Sequence, residues 1–275
     1  MSSLASAIGE GLVGGRLWLY SNYHCNLACA YCLTESSPSA ARRVLDRALI
    51  GKIAAGAVAE GFTSFGVTGG EPFMRPDMVD ILLELQTHLP VLVLSNATLF
   101  TGRVLEDVRR LAGTRVAIQI SLDSASPQEN DEMRAPDNFA KVVEAIPKLV
   151  AAGIAVRIAT TGGNRTVEED AALCALHRSF GISDDDHVVR PIVHRGRAAT
   201  NELGVVVSAH DLPAELTLTV DGAFWSPFGP TVRAGELDTD MLLARTSYPL
   251  DLAIAAMLEV AGAKPAGGDS LLNIR

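Results

Sequence analysis

Three of the chain's four cysteines fall within eight residues, CNLACAYC, at Cys25, Cys29 and Cys32. Thiols at this spacing serve few chemistries. A disulfide pairs two of them and leaves one over. Thiolates suit zinc or an iron–sulfur cluster. Zinc asks for a fourth ligand, and neither His24, adjacent to Cys25, nor the distant Cys174 has ordinary zinc-site spacing. A cube held by three thiolates keeps one iron open to an outside ligand, which makes a reactive site rather than a staple. The spacing favours the open cluster, with structural zinc and an accidental or redox arrangement still open beside it.

Elements of fixed direction must bring other groups to these thiols. RLWLYS (16–21) reads as a strand leading into them. Further strands are expected within FTSFGVTGG, LPVLVLSN (89–96), RVAIQISLD (115–123), IAVRIATT and HVVRPIV (187–193). Helices are expected between them: near 46–60, opening at Asp46 and closing at Gly61, then at 75–88, 101–112, in NFAKVVEAIPKLVAAG up to Gly153, and at 167–180 before Gly181. Strand–helix repetition of this kind implies an α/β fold of parallel strands. Polar residues follow the strands at Cys25, Gly69, Asn96, Asp123, Thr161 and His194. Function in such folds gathers at the C-terminal ends of the strands. After about residue 200 the pattern changes. ELTLTVDGAFWSP reads as a hairpin with DG as its turn, 249–261 as a last helix, and the tail GAKPAGGDSLLNIR as loop.

With 275 residues, 48% of them hydrophobic and 20% charged, the chain can bury a sizeable core. Its formal net charge of −9 argues against a nucleic-acid or anionic-membrane partner. MSSLASAIGEGLVGG lacks the basic start and apolar run of a signal peptide, and no stretch is long and apolar enough to span a bilayer. The cysteine usage fits a reducing, cytoplasmic setting rather than a secreted disulfide framework.

The cysteines form C-x3-C-x2-C with an aromatic residue before the last, and GGEP (69–72), SNAT (95–98), SLD (121–123) and Arg134 follow in order. The set resembles the signature of the radical S-adenosylmethionine (SAM) superfamily over residues 15–198. The resemblance implies a partial (β/α)6 TIM-like barrel. It implies that Cys25, Cys29 and Cys32 hold a [4Fe–4S] cluster whose open iron takes the amino nitrogen and carboxylate of SAM. Tyr31 then matches the aromatic beside the adenine. Gly69, Gly70, Glu71 and Pro72 match the loop that receives the SAM amino group. Ser95 and Asn96 match residues lining the pocket around ribose and methionine, and Ser121, Asp123 and Arg134 match an SLD…R pattern that binds the cofactor, with Ser121 and Arg134 as the carboxylate- and ribose-side contacts. The implied chemistry is reductive cleavage of SAM to a 5′-deoxyadenosyl radical that removes hydrogen from a substrate, with electrons from a reductant such as flavodoxin or ferredoxin.

RPIVHRGRA (190–198) resembles the end of the barrel in maturase-type members, which continue into a SPASM or twitch extension. Here residues 199–275 would form a small α+β extension without the cysteines that hold auxiliary clusters. One cluster is therefore expected, and a redox-neutral reaction on a small natural-product substrate such as a sugar, nucleoside or amino-acid-like acid. A peptide-modifying maturase and a non-catalytic cluster-binding protein are the alternatives. The 15 residues before the first strand are too few for a leader-peptide-binding domain, and the chain lacks room for a cobalamin domain. Arg157, inward by strand alternation, would favour a carboxylate or phosphate substrate, and His194, Arg195 and Arg197, clustered after the sixth strand, would anchor an anionic substrate or close the SAM pocket. Trp225 and Phe228 would form an apolar lid or the core of the extension, and Cys174 reads as a packed apolar residue.

Overall fold

The computed structural model describes residues 3–163 and 165–262. The expected C-terminal loop lies, from residue 263 onward, outside the described residues. Six strands, β1 (Arg16–Tyr20), β2 (Ser64–Thr68), β3 (Val91–Ser95), β4 (Val116–Ser121), β5 (Ala155–Thr161) and β6 (His187–Arg190), lie side by side in chain order. Every neighbouring pair among them is parallel. This is the partial (β/α)6 barrel. The apolar middles of β1 to β5 are buried, as parallel strands covered on both faces require, while β6 at the sheet edge leaves Val189 exposed.

The helices begin and end where local chemistry directs. A short helix, α1 (Leu4–Gly9), precedes β1, and α2 (Arg47–Glu60) follows it. Asp46 caps α2, its carboxylate accepting from the Ala48 and Leu49 amides at 2.8 and 3.2 Å. Gly61 ends α2 at φ 98°, a left-handed conformation that glycine adopts without steric cost. The other core helices are α3 (Met78–His88), α4 (Gly102–Val108), α5 (Pro127–Met133), α6 (Asn138–Ala151) and α7 (Val167–Ser179). α7 opens with a reciprocal capping box between Thr166 and Glu169. The sequence reading did not anticipate α1, α5 or the four-residue α8 (Arg197–Thr200). Each is too short to show a helical period.

The extension continues the barrel's own sheet. Its strands are β7 (Thr217–Thr219), β8 (Gly222–Phe224), β9 (Val232–Arg233), β10 (Glu236–Leu237) and β11 (Leu242–Ala244), before helix α9 (Leu250–Gly262). β7 pairs parallel to β1, β8 antiparallel to β7, and β11 antiparallel to β8. The free edge of β1 is thereby covered, which removes a template for pairing with other chains. The hairpin register pairs Thr219 with Gly222, so Val220 and Asp221 are its central residues, not Asp221 and Gly222. Gly222 is needed for another reason: at φ 139° a Cβ there would lie 2.2 Å from the Ala244 carbonyl oxygen.

Candidate active site

The loop after β1 carries the cysteines, and the loop after β2 carries GGEP. The two are laced together through their backbones. Gly70 N–H donates to Asn22 O at 2.8 Å and Glu71 N–H to His24 O at 3.1 Å. The Asn22 side chain closes the stitch by donating to His24 O and Glu71 O. A Cβ on Gly70 would sit 2.1 Å from His24 O, and one on Gly69 2.5 Å from Asn22 O. Glycine is required at both positions because backbone fills the space a side chain would take.

Cys25, Cys29 and Cys32 are free thiols, and all three line one cavity with Gly69, Ser121 and Arg134. Gly70, Ser95 and Asn96 also face it. The Cys25 sulfur accepts from Leu27 N–H at 3.3 Å and lies 3.7 Å from Asn96 Nδ2. Burial pushes the Cys25 thiol up to about 12 and raises Cys29 as well. Burial thus works against the thiolate at Cys25 and Cys29, and bound metal is the natural means of holding thiolates there. Among the described residues no three His, Cys, Asp or Glu side chains converge on a single metal ion. Three thiols around one cavity suit a larger group, and the donor set fits an iron–sulfur cluster.

Glu71 is 1% exposed and fully engaged. Its carboxylate accepts from Phe73 N–H, Ser95 Oγ and Asn96 N–H at 3.1, 2.9 and 2.7 Å. Burial raises its pKa to about 7. Glu71 therefore clamps the end of β3 to the loop after β2 and does not itself face the cavity. Pro72 opens the short turn behind it and also lies off the cavity. Asn96 reaches Asn26 Oδ1 at 3.0 Å, tying the end of β3 to the cysteine loop.

Half-buried Tyr31 and buried Asp123 and Arg134 form one triad. Tyr31 O–H donates to Asp123 Oδ2 at 2.5 Å, and Arg134 Nη1 donates to Tyr31 Oη and to Asp123 Oδ2, the latter at 3.2 Å. The other Asp123 oxygen accepts from Thr161 N–H at 2.9 Å at the end of β5. Arg134 comes from the end of α5. Its Nε is buried without a partner among the described residues, which leaves a donor beside the thiols for a carboxylate. That orphaned donor, the glycine-only loop and the thiols together fit SAM against a cluster.

A second cavity opens beside the first, and Cys32, Thr68 and Leu94 line both. Trp18 and Tyr20 from β1, Tyr31, Arg190 at the end of β6, and Phe228 from the extension complete much of its wall. Trp18 lies across from Gly66 on β2, where a Cβ would meet its ring at 2.3 Å. The extension is strapped over this end of the barrel. Val232 N–H donates to Leu33 O, Glu35 accepts from the Ala234 and Gly235 amides, and Arg195 makes a bidentate pair with Asp240.

The expected substrate-side residues are not brought here. Arg157 does share the inward face of β5 with Thr161, but it lies four residues lower, roughly 13 Å at a strand's rise. Its guanidinium stands 3.6 Å from Asp186. His194 lines neither cavity; its Nδ1 lies 2.9 Å from Leu203 O within the loop after β6. Arg195 is held by Asp240 and Thr231, and Arg197 by the Cys29 and Ser36 carbonyls at 2.7 and 3.0 Å. Trp225 is buried with its indole on Ala209 O, while Phe228 reaches the second cavity. Sequence reasoning missed Arg190, although a charged residue ending a strand before Pro191 was a visible signal.

The family model of the radical SAM superfamily matches residues 19–175, more than half of the chain. The chain belongs to the radical SAM superfamily. This span is the superfamily's catalytic domain and contains all four cysteines and the loops after β1 to β4; β6, the loop after it and the extension lie outside it. Over 170 residues the chain is 33% identical to mycofactocin maturase MftC of Mycobacterium tuberculosis, covering 58% of this chain and 41% of that protein. Over 140 residues it is 32% identical to GTP 3′,8-cyclase of Bradyrhizobium diazoefficiens, covering 49% and 40%. The matches thus span about two fifths of the length of these relatives. Among solved structures, native anSMEcpe with bound AdoMet superposes with a TM-score of 0.64 at 13% identity, covering 89% of this chain and 80% of that one. That likeness is one of fold. Among the described residues, no helix is long and apolar enough to cross a membrane.

Proposed function

We propose that this chain is a single-cluster radical SAM enzyme that removes hydrogen from a small natural-product substrate held in the second cavity. The observation that carries this reading is the wall the two cavities share at Cys32, Thr68 and Leu94. A group generated at the first cavity is thereby adjacent to a substrate in the second. When bound, the cluster supplies the electron that splits SAM into methionine and a 5′-deoxyadenosyl radical. The chain's own residues then orient and shield. Cys25, Cys29 and Cys32 hold the cluster. Gly69 and Gly70 let the backbone approach the methionine end of SAM. Arg134, oriented by Asp123 and Tyr31, offers Nε to its carboxylate. Trp18, Tyr20 and Phe228 close the second cavity with apolar surface and keep competing hydrogen donors out. The extension, residues 199–275, has no cysteine, so an auxiliary cluster is not invoked and a redox-neutral outcome is favoured. Flavodoxin or ferredoxin suits the role of reductant.

Iron and sulfide content after anaerobic reconstitution, with 5′-deoxyadenosine release from SAM under reduction, tests the reading. Four irons per cube with SAM cleavage are expected. Zinc in place of iron overturns it. Cys29→Ala should lose both cluster and cleavage, and retained cleavage would sink the assignment of the thiols. A peptide-modifying maturase is the second reading, favoured by the 33% identity to mycofactocin maturase MftC. Hydrogen abstraction from a peptide but from no free small molecule would decide for it.

A further inference from the structure

Nearly every arginine around the barrel mouth has a partner. Arg134 is held by Asp123 and Tyr31, Arg195 by Asp240 and Thr231, Arg197 by two carbonyls, and Arg75 by Asp77 and the Ser21 and Leu45 carbonyls. Arg190 differs. It ends β6, in register with Thr161 at the end of β5, and lines the second cavity. Among the described residues its guanidinium has no hydrogen-bond or ion-pair partner. Asp123, the nearest carboxylate in charge terms, already has both oxygens engaged by Thr161, Tyr31 and Arg134. Burial lowers the Arg190 pKa, the expected response of a cation placed without a counter-ion. The rest of the cavity is chiefly aromatic, aliphatic and proline side chains. An unpaired guanidinium among such groups is costly until an anion arrives.

We infer that Arg190 is the substrate-anchoring residue, binding an oxyanion, carboxylate or phosphate, carried on an apolar body that fills the second cavity. This rests on the proposed function for the word substrate, but anion binding itself does not. The planar fork of Arg190 suits bidentate oxyanion recognition. The cavity measures about 190 Å3. An apolar cavity of roughly 150 Å3 takes a benzene ring, so the space suits a ring-sized group. Arg134 serves the first cavity and Arg190 the second, and the two cations thus divide the anions of SAM and substrate between them.

The test is calorimetric titration of the reconstituted full chain with benzoate, phenyl phosphate and the neutral isostere benzamide, with and without saturating SAM. Wild type should bind one of the two anions at least tenfold more tightly than benzamide, and should do so with SAM present. Whichever anion binds more tightly names the oxyanion. Arg190→Gln should abolish that preference while leaving SAM affinity unchanged and the melting temperature no lower. Arg190→Lys should restore part of it, since the charge remains and the fork is lost. Equal binding of anion and benzamide to wild type overturns the inference. So does an Arg190→Gln protein that keeps the preference, or one that loses SAM affinity instead, which would assign Arg190 to the cofactor. Failure of SAM cleavage in wild type, with Arg190-dependent anion binding intact, would fault the proposed function and leave the anion site standing.

Discussion

Single side chains do two different jobs around this site. Some face the cavity, and others hold the facing ones still. Glu71 is of the second kind, although it sits inside the GGEP motif. Glu71→Gln should cost about 1–3 kcal/mol, because either amide orientation turns an NH2 toward a donor at Phe73, Ser95 or Asn96. Urea unfolding of the two proteins measures it. His177 of α7 is a second buried group whose cost can be read. It is fully buried, has no hydrogen-bond partner on either ring nitrogen among the described residues, and packs edge-on to His187 with centroids 4.3 Å apart. Burial, followed by the charge of His187, lowers its pKa from 6.5 to about 4. The unfolded chain therefore binds the proton more readily. The contribution of His177 to stability is present above pH 6.5 and is lost as pH falls toward 4. His177→Leu should flatten that acid limb in a plot of unfolding free energy against pH. An unchanged limb would place the titration elsewhere.

Elements matter here through their ends. Most residues that face the two cavities come from the C-terminal ends of the barrel strands or the loops after them, with Arg134 added by α5 and Phe228 by the extension. The lacing between the cysteine loop and the GGEP loop works only because Gly70 brings its backbone against His24. Gly70→Ala should force the two loops apart. Iron bound per chain after reconstitution should then fall several-fold, while the circular dichroism of the barrel stays as in wild type. The boundaries of α2 were legible to the residue, since Asp46 and Gly61 are local signals that tertiary packing did not override. The hairpin was legible as a hairpin but not in register. The sequence pointed to Asp221–Gly222 as the turn, while the chain uses Gly222 for its close approach to Ala244. α5 was invisible, yet it delivers Arg134. Its seven residues are too few for a period to emerge.

The whole molecule decides what the extension is for. It closes the β1 edge through β7 and supplies Phe228 to the wall of the second cavity. Phe228→Ala should therefore lower hydrogen abstraction from substrate while raising the share of SAM cleaved without product. The ratio of 5′-deoxyadenosine to product measures this. Equal losses in both would mean that Phe228 serves the fold alone.

The sequence by itself determined the α/β class, the parallel order of strands, the thiols and the loops that join them at one end of the sheet. These rest on local signals: period, caps, glycine, and motifs whose spacing is set along the chain. Only the tertiary structure decided which arginine lines the second cavity. Arg157 and Arg190 lie on the same face of neighbouring parallel strands by alternation. Alternation carries no information about height along the barrel. Height follows from register between strands, where Thr161 aligns with Arg190 and Arg157 falls below, beside Asp186. Register depends on contacts between segments far apart in the chain, so no stretch of sequence read alone contains it.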